Sequence, residues 1–513
     1  MAFIMKKNIL ILIVAFATLS SCESTDFDDP STLTNEEAVG KIKSFSYSLV
    51  TSSVQTAFNT TTSTAGVHFS LLADQTTNTN GNSNWWYYAQ EPRMRIINSS
   101  SERSYSASLN SLYSNFYQAN LDATKVIDII ENQGGKAYDD AGKDRTNDCL
   151  IGAYYAKGVS QGYLGNLYDR GIIVDGINQT EKGYPNSYKE LTENGVRHIE
   201  KAIALAETSS NLQFDFLQGV TIGKDDFLKL ANSIAARILS SIARDKAEAI
   251  ALGSSYWQKV LAFAEKGFDS DFVITTTSGG YYNALLNNLI FKGSSNRPVD
   301  IKVPYLADKT HNYPNFYPTD DTILEPIETD DDRFYQYFSY TPSFGILMES
   351  RGRGLFSNYI RERWSNSHNS LSEVGSANPY ILAEEVRLLK AEAKLFLNDV
   401  AGAAELLNDP NASRKAKGHL ADVAANENDV RNAIHYEYAI EIDGAAGVTV
   451  PFTFMRRNDL LIGGTPTEYP IPQKQLELIG ESLYSFGGKE YIGEKGRFGE
   501  LATALDNGWK LSE

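Results

Sequence analysis

The chain has 513 residues, 42% of them hydrophobic, so it is long enough to bury one large core or the cores of two or three ordinary domains. Its 64 acidic and 47 basic residues give a formal net charge of -17 at pH 7. This excess of carboxylates argues against nucleic acid and anionic lipid as ligands, because their phosphates would be repelled.

The first 21 residues have the pattern of a secretory signal peptide. Lys6 and Lys7 precede an almost wholly apolar run over residues 9–19. That run is about half the ~20 residues that a membrane-crossing helix needs. We therefore expect residues 1–21 to be removed from the mature chain.

The end of this signal carries one of only two cysteines in the chain. Leu19-Ser20-Ser21-Cys22 resembles the lipobox of bacterial lipoproteins, in which the chain is cut before the cysteine and the thiol is acylated. An ordinary secreted protein is the alternative. Several acyl chains on Cys22 would give lasting membrane attachment, where a single chain gives only marginal binding. Residues 22–33 are acidic and poor in apolar side chains, and we interpret them as a flexible tether.

Cys149 would be the only cysteine left for the folded body, so we expect no internal disulfide. It lies in the helix-like stretch RTNDCLIGAYYAKG. A small apolar residue in such a stretch is more typical of a core than of a reactive nucleophile.

The remaining chain, residues 34–513, is predicted to be a single domain with its helical core mainly at 104–267 and 378–408. The clearest helix is NPYILAEEVRLLKAEAKLFLN, with Pro379 expected in its first turn. Its apolar residues step by three and four, which is the period of one helix face. They are Leu382, Val386, Leu389, Ala393, Phe396 and Val400. Asn398-Asp399 marks a break before a second helix.

Three further segments have the same build. KDDFLKLANSIAARILSSIARDKAEAI is followed by a second helix in SYWQKVLAFAEKGF, and GYLGNLY is followed by SYKELTENGVRHIEKAIALAE. The third is SLYSNFYQANLDATKVIDII. GYLGNLY has the Leu-Gly-x2-Tyr spacing of tetratricopeptide repeats. The pattern predicts a mainly α fold of irregular tetratricopeptide-like helix pairs that support long loops, with a few short strands.

The expected loops are residues 60–100 and 275–375, which show no sustained helical period. Such long loops are uncommon in a compact domain unless they have a function, such as binding. The acidic stretch TDDTILEPIETDDDR could hold calcium, but it lacks the order of ligands of an EF-hand loop. A solvated charged loop is the favoured interpretation, and we predict no metal site.

No pattern of residues points to catalysis. The six histidines are scattered, and neither a Gly-x-Ser-x-Gly elbow nor a phosphate-binding glycine loop is present. A glycosidase needs only two suitably spaced carboxylates, which an acidic chain could supply anywhere, so a surface enzyme stays an alternative. We predict a protein that is not an enzyme and needs no cofactor.

The best indication of a ligand is the stretch NGNSNWWYYAQEP. Its four consecutive aromatic residues cannot all be core, because adjacent side chains point in different directions. Flat rings suit the C–H faces of sugars, and nearby polar side chains suit their hydroxyls. The predicted ligand-binding residues are Asp74, Asn82, Asn84, Trp85, Trp86, Tyr87, Tyr88, Tyr281, Tyr282 and Trp364. Anchoring of the loops to the helical body is the alternative role for each ring.

Together these features resemble the SusD/RagB family of nutrient-binding outer-membrane lipoproteins. NPYILAEEVRLLKAEAKLFLN is similar to a helix of that family, TEYPIPQKQLELIG to its Tyr-Pro-Ile-Pro signature, and YSNFYQANLDATKVI to its Asn-containing helix. Later in the chain, Glu437, Arg456 and Arg457 are kept while the rest of a family pattern is replaced. The chain therefore resembles a divergent member.

The resemblance implies a SusD-like fold on the cell surface, lipid-anchored in the outer membrane. It also implies an oligosaccharide ligand, held by the loops and passed to a SusC-like TonB-dependent transporter. The residues leave two other possibilities open, a tetratricopeptide-type scaffold that binds protein and a surface binder of peptide or another nutrient.

Overall fold

A computed structural model of the chain describes residues 35–79, 85–91, 93–99, 106–177, 183–291, 298–318, 323–342, 353–365 and 370–488. The signal peptide, the tether with Cys22, and the predicted ligand-binding residues Asn82 and Asn84 lie outside these ranges. Their assignments stay predictions.

The fold is mainly α, which confirms the predicted class. Its helices are α1 Asn35–Thr61, α2 Val67–Leu72, α3 Trp85–Tyr88, α4 Ser106–Ile127, α5 Thr146–Leu167, α6 Tyr188–Thr208, α7 Lys224–Ser240, α8 Lys246–Ala251, α9 Gly253–Glu265, α10 Ala284–Ile290, α11 Lys302–Ala307, α12 Asp332–Tyr337, α13 Ala383–Phe396, α14 Val400–Asn408, α15 Ser413–Ala416, α16 Glu427–Glu437, α17 Val450–Arg457 and α18 Gln473–Ile479. Short π-helical turns, Asp128–Asn132 and Tyr438–Ile442, extend α4 and α16.

The strands are short and antiparallel. They are β1 Arg170–Gly171, β2 Asn186–Ser187, β3 Phe214–Leu217, β4 Val220–Ile222, β5 Phe272–Thr275, β6 Pro298–Asp300, β7 Phe338–Tyr340, β8 Phe356–Arg361 and β9 Ala377–Ile381. Three pairs, β1-β2, β3-β4 and β5-β9, form two-stranded sheets, and β6-β8-β7 forms a sheet of three.

The long helices pack on their neighbours in the chain. α1 lies against α4 and α5, α5 against α6, α6 against α7, and α7 against α9. α9 then contacts α13, which pairs with α14. The helix pairs α7-α9 and α13-α14 are those that the apolar periodicity predicted, and α5-α6 is the pair that the Leu-Gly-x2-Tyr spacing predicted.

Glycines let α5 and α6 approach closely. A Cβ atom on Gly195 of α6 would lie 2.7 Å from the carbonyl oxygen of Gly158 and 2.8 Å from Cα of Gly162, both on α5. Real Cβ atoms essentially never approach so closely. The backbones of the two helices are therefore in contact here, and the crossing depends on the missing side chains.

The apolar stripe of α13 faces the core as predicted. Val386, Leu389 and Ala393 are buried, and Phe396 stacks on the buried ring of Trp257 in α9 at 4.0 Å between centroids. The expectation that Pro379 opens this helix was wrong. Pro379 pairs with Val273 in the two-stranded sheet β5-β9. Both strands of a two-stranded sheet are edges, where a residue without an N–H group is tolerated.

The region 275–375 contains more regular structure than the sequence indicated. Besides the expected short strands, it holds α10, α11 and α12, each of six or seven residues. Helices of fewer than two turns are too short to show an apolar period, which is why the sequence did not reveal them.

The last described segment returns to the beginning of the fold. Tyr469 donates its N–H to Leu167 O at 2.7 Å, at the end of α5, and Phe486 bridges to Ile96. The Tyr-Pro-Ile-Pro sequence therefore fastens the C-terminal segment to the helical layer. Within the described ranges, no helix combines the length and the apolar character that crossing a membrane requires.

Candidate functional site

Helix α3 contains only the four aromatic residues Trp85, Trp86, Tyr87 and Tyr88. Trp85, Trp86 and Tyr87 are half-buried, whereas Tyr88 is buried. The rings of Trp86 and Tyr87 are in contact, with centroids 5.0 Å apart at 49°. One helical turn thus directs one ring inward and leaves three rings partly at the surface, in accord with the expectation that not all four could be core.

Tyr88 anchors α3 to α2. Its ring stacks on His68, with centroids 4.1 Å apart and planes at 18°. His68 is buried, and burial lowers its pKa to about 3. The imidazole is therefore neutral at pH 7 and acts as a flat apolar support for the tyrosine ring.

A buried ion pair closes the segment that carries α3. Arg93, which follows α3, donates from Nη2 to Asp74 Oδ1 at 2.5 Å, and both side chains are buried. The same guanidinium donates from Nη1 to Tyr88 O at 2.7 Å and from Nη2 to Leu72 O at 3.1 Å. Its Nε donates to Thr465 Oγ1 at 2.9 Å. Arg93 thus joins the two ends of this segment to each other and to the core.

A second ionic contact lies beside the first. The ammonium of Lys302 in α11 pairs with Glu91 and lies 4.0 Å from Asp300 Oδ1. Burial raises the pKa of Glu91 and of Asp300. Burial acts to lower the pKa of Lys302, but the carboxylates of Asp74, Asp300 and Glu91 outweigh it and raise that pKa. Lys302 therefore stays charged and fixes Glu91 against the sheet strand β6.

Asp74 is consequently not available at the surface. It is fully buried, has a left-handed backbone with φ of 52°, and faces Arg93. Its position fits a residue that holds α3 in place. A direct contact between Asp74 and a ligand would require the ion pair to open.

Tyr281 and Tyr282 have opposite surroundings. Tyr281 is buried, donates from its hydroxyl to Thr62 Oγ1 at 3.1 Å, and meets the rings of Phe58 and Tyr380 edge-on. Tyr282 has 37% of its surface exposed. Of this pair, only Tyr282 offers its ring to a ligand in solution.

Trp364 lies in a strained turn after β8. Its φ is 72°, a conformation that is rare for a bulky residue. The half-buried indole packs on a small apolar cluster of Leu286, Ile290 and Leu371, and the guanidinium of Arg363 lies 4.8 Å from its ring centroid. Arg363 also pairs with Glu441 at 2.6 Å. A strained backbone of this kind persists only where the surrounding structure holds it in place. Such strained residues are common at binding sites.

Arg361 connects the region of Trp364 to the segment before α3. It donates to Gln75 O at 2.5 Å and pairs with Asp443 at 2.7 Å. Arg361, Asp443 and Trp364 also line a narrow cleft of about 10 Å³, which has room for about one water molecule. The cleft itself is too small for a sugar, so a ligand near Trp364 would lie on the surface.

The described residues give no support to metal or thiol chemistry. No group of three or more His, Cys, Asp or Glu side chains in these ranges is placed to hold a metal ion. Cys149 is buried and unpaired with another cysteine, and burial raises the pKa of its thiol. A protonated, buried thiol is a poor nucleophile, which agrees with the core role predicted for it.

The sequence did not indicate the charged residues that hold the aromatic segment. Lys302 and Arg361 act through partners that are far away in the chain, and Arg93 joins Asp74, 19 positions before it, to Thr465, 372 positions after it. Lys302 and Glu91, for example, are separated by 211 positions. A local sequence pattern carries no signal for such pairs.

Comparison with solved structures identifies the fold. A SusD superfamily protein from Parabacteroides distasonis matches with a TM-score of 0.56 at 11% identity, over 89% of this chain and 100% of that one. A SusD superfamily protein from Bacteroides vulgatus matches with a TM-score of 0.54 at 12% identity, over 84% and 95% of the two chains. No family model matches the chain, and neither does a curated protein.

A third structure is that of a SusD-like carbohydrate binding protein from Bacteroides vulgatus. It matches with a TM-score of 0.52 at 16% identity, over 79% of this chain and 82% of that one. At such identities a structural match establishes the fold and leaves the ligand open. The chain has the SusD-like fold, as its motifs indicated.

Proposed function

We propose that this protein is a cell-surface lipoprotein that binds an oligosaccharide and delivers it to a SusC-like TonB-dependent transporter in the outer membrane. The observation that carries the proposal is the SusD-like fold, shared with a carbohydrate binding protein over 79% of this chain. Binding without catalysis is part of the proposal.

The ligand would lie on the half-buried rings of Trp85, Trp86 and Tyr87. The three side chains are half-buried, and the buried contacts of Tyr88 and Arg93 hold the helix that carries them. Ring contacts contribute about 0.5–1.5 kcal/mol each. Two or three such contacts give a moderate affinity, which suits a protein that must release its ligand to a transporter.

Other predicted residues take supporting or neighbouring roles. Tyr282 and Trp364 are proposed as further contact rings, and Asn82 and Asn84 as hydrogen-bonding partners of sugar hydroxyls. Asp74, Tyr88 and Tyr281 are buried, so we propose that they position the surface rings from below.

An acylated Cys22 followed by a flexible tether would confine the protein to the membrane beside its transporter. Confinement by a short flexible linker gives effective concentrations in the millimolar range. The binding protein could then stay associated with its transporter even if the free affinity between them were low. This argument supports delivery as well as capture.

The first test is affinity gel electrophoresis of the protein without residues 1–22 against plant, algal and microbial polysaccharides. Retardation by one glycan is expected, and Trp85→Ala/Trp86→Ala should abolish it. Tyr335→Ala, which removes an exposed ring from α12, is the matched control and should be retarded like the parent protein. If no glycan retards the protein, the fold stands and a peptide or another nutrient becomes the favoured ligand.

The anchor is tested separately. Cys22→Ala should abolish incorporation of labelled palmitate and move the protein from the membrane fraction to the soluble fraction. A protein that stays in the membrane after this substitution would contradict Cys22 as the anchor, without bearing on the ligand.

A further inference from the structure

A cavity of about 450 Å³ lies between α11, α16 and the extended segment 420–424. Its volume falls in the range of ~300–1,000 Å³ that is typical of small-molecule sites. The apolar part of its lining comes from all three elements and includes Leu306, Ala307, Leu420, Val423, Ala433 and Tyr436.

The carboxylates of this cavity are already engaged. Asp330 accepts from Lys309 at 2.8 Å, and Asp422 accepts from Lys415 at 2.6 Å. Asp429 accepts from Asn426 at 2.7 Å. Two of the three carboxylates therefore have a lysine partner, and the third is bonded to an amide.

Arg414, in contrast, has donors that the protein does not use. Only 9% of its side chain is exposed. Its Nη1 donates to Ala421 O at 3.0 Å, and to Asn408 Oδ1 at 3.5 Å. Its Nε makes no hydrogen bond and lies 3.7 Å from Glu437 Oε1. Its Nη2 makes no hydrogen bond to any residue that the structure describes.

The nearest carboxylate does not satisfy this guanidinium. Both oxygens of Glu437 accept from Arg333, at 2.5 and 2.8 Å. Nε is buried, but Nη2 is not among the buried side-chain atoms that lack a partner, so its N–H groups are open to the cavity. A guanidinium that has largely left water gains from a partner at such N–H groups, and an anion in the cavity would supply it.

We propose that the cavity binds a small organic anion, namely a carboxylate on an apolar body, through the guanidinium of Arg414. Arginine pairs with carboxylates through parallel N–H groups, a geometry that lysine cannot reproduce. The aliphatic walls and the ring of Tyr436 would hold the apolar body. None of its lining residues belongs to α3, so this site is separate from the proposed sugar surface.

The carboxylate could belong to a free organic acid or to the end of a peptide. The full chain is therefore titrated with 4-phenylbutyrate and, in a second arm, with N-acetylphenylalanine, using isothermal calorimetry. Each probe is paired with its uncharged amide. We expect the acid to bind at least about tenfold more tightly than its amide, in accord with the strength of charge-assisted hydrogen bonds. The tighter of the two acids indicates the natural source.

Two variants locate the site. Arg414→Gln should weaken binding of the acid about tenfold or more. Ala433→Phe places a ring in the cavity without substituting any of the residues that bond or pair with Arg414. It should abolish binding, and it keeps the test valid if Arg414→Gln does not fold. Arg431→Gln, on the same helix but facing a different pocket, is the control and should bind like the parent protein.

The proposal is overturned if neither acid binds, if acid and amide bind equally, or if Ala433→Phe retains the affinity. Trp85→Ala should bind 4-phenylbutyrate normally. Failure at this cavity is therefore distinguishable from failure of the proposed sugar surface.

Discussion

Arg93 Nη2 lies 2.5 Å from Asp74 Oδ1, and the two buried side chains stand on either side of the segment that carries Trp85 and Trp86. Arg93 also holds the carbonyl oxygen of Tyr88 at 2.7 Å. The position of the proposed sugar-binding rings thus depends on an ion pair that no ligand needs to touch.

Substituting one residue of this ion pair should destabilise the protein more than substituting both. Arg93→Met or Asp74→Asn alone leaves a buried, unpaired polar or charged group, and we expect a loss of about 3–5 kcal/mol in the free energy of unfolding. The double variant should recover part of that loss. Urea denaturation of the four proteins gives the coupling energy directly.

The exposed pair between Lys309 and Asp330 supplies the control, because Lys309→Met removes a contact that is largely solvated. The free energy of unfolding of the Lys309→Met variant should equal that of the parent protein. Additive losses in the double variant would contradict a coupled pair at Asp74 and Arg93.

The crossing of α5 and α6 makes a second prediction. Gly195→Ala would place a Cβ atom 2.7 Å from Gly158 O, and the helices must move apart to accept it. Overpacking of this kind costs about 1–3 kcal/mol, which lowers the melting temperature of a folded body of this size by about 1–3 °C. Gly176→Ala is the matched control, since no atom lies within 4 Å of its Cβ position. Equal melting temperatures for the two variants would contradict a close crossing.

The helical core could be predicted because each helix repeats its apolar residues in register with its own turns. Val386, Leu389 and Ala393 are identifiable from local spacing alone, and all three are buried. The roles of the four rings of α3 could not be predicted, because α3 is one turn long and its orientation is set by contacts of Tyr88 with His68 and Arg93. His68 lies 20 positions before Tyr88, and Arg93 lies five positions after it but is itself held by Asp74 and Thr465, so no local pattern reveals these contacts.

Buried His68 should make the protein sensitive to acid. Its pKa is about 3 in the folded state, against an ordinary value near 6.5, so between these values the unfolded state binds more protons. Its contribution to stability is complete above pH 6.5 and is lost as the pH falls. At pH 4 the loss should be about 3 kcal/mol relative to pH 7.5.

His68→Phe, which keeps a flat ring against Tyr88, should reduce this dependence on pH. The measurement is the difference in unfolding free energy between pH 7.5 and pH 4. Any change in stability that the substitution causes equally at both pH values cancels in this difference. His419→Gln, at an exposed histidine, should leave the dependence as it is in the parent protein. An unchanged dependence in His68→Phe would show that His68 is already charged in the folded state.

We expect the positive charge of Lys302 to offset the cost of burying three carboxylates at neutral pH. It pairs with Glu91, lies 4.0 Å from Asp300, and shares their cluster with Asp74. Burial already raises the pKa of Glu91 and of Asp300, and without the ammonium these values must rise further. When the pKa of a carboxyl group is raised in the folded state, the protein loses stability as the pH rises through that pKa. The reason is that the same carboxyl group ionises more readily in the unfolded state.

Lys302→Met should therefore be destabilised more at pH 8 than at pH 5, with the parent protein measured at both. The relevant quantity is the difference between variant and parent at each pH, which cancels the contribution of His68. Lys125→Met, at a half-exposed lysine that pairs with Asp122, should show the same small difference at both. A loss in Lys302→Met that is equal at pH 5 and pH 8 would mean that only packing is lost. In that case the ammonium would not balance the carboxylates that hold the aromatic segment.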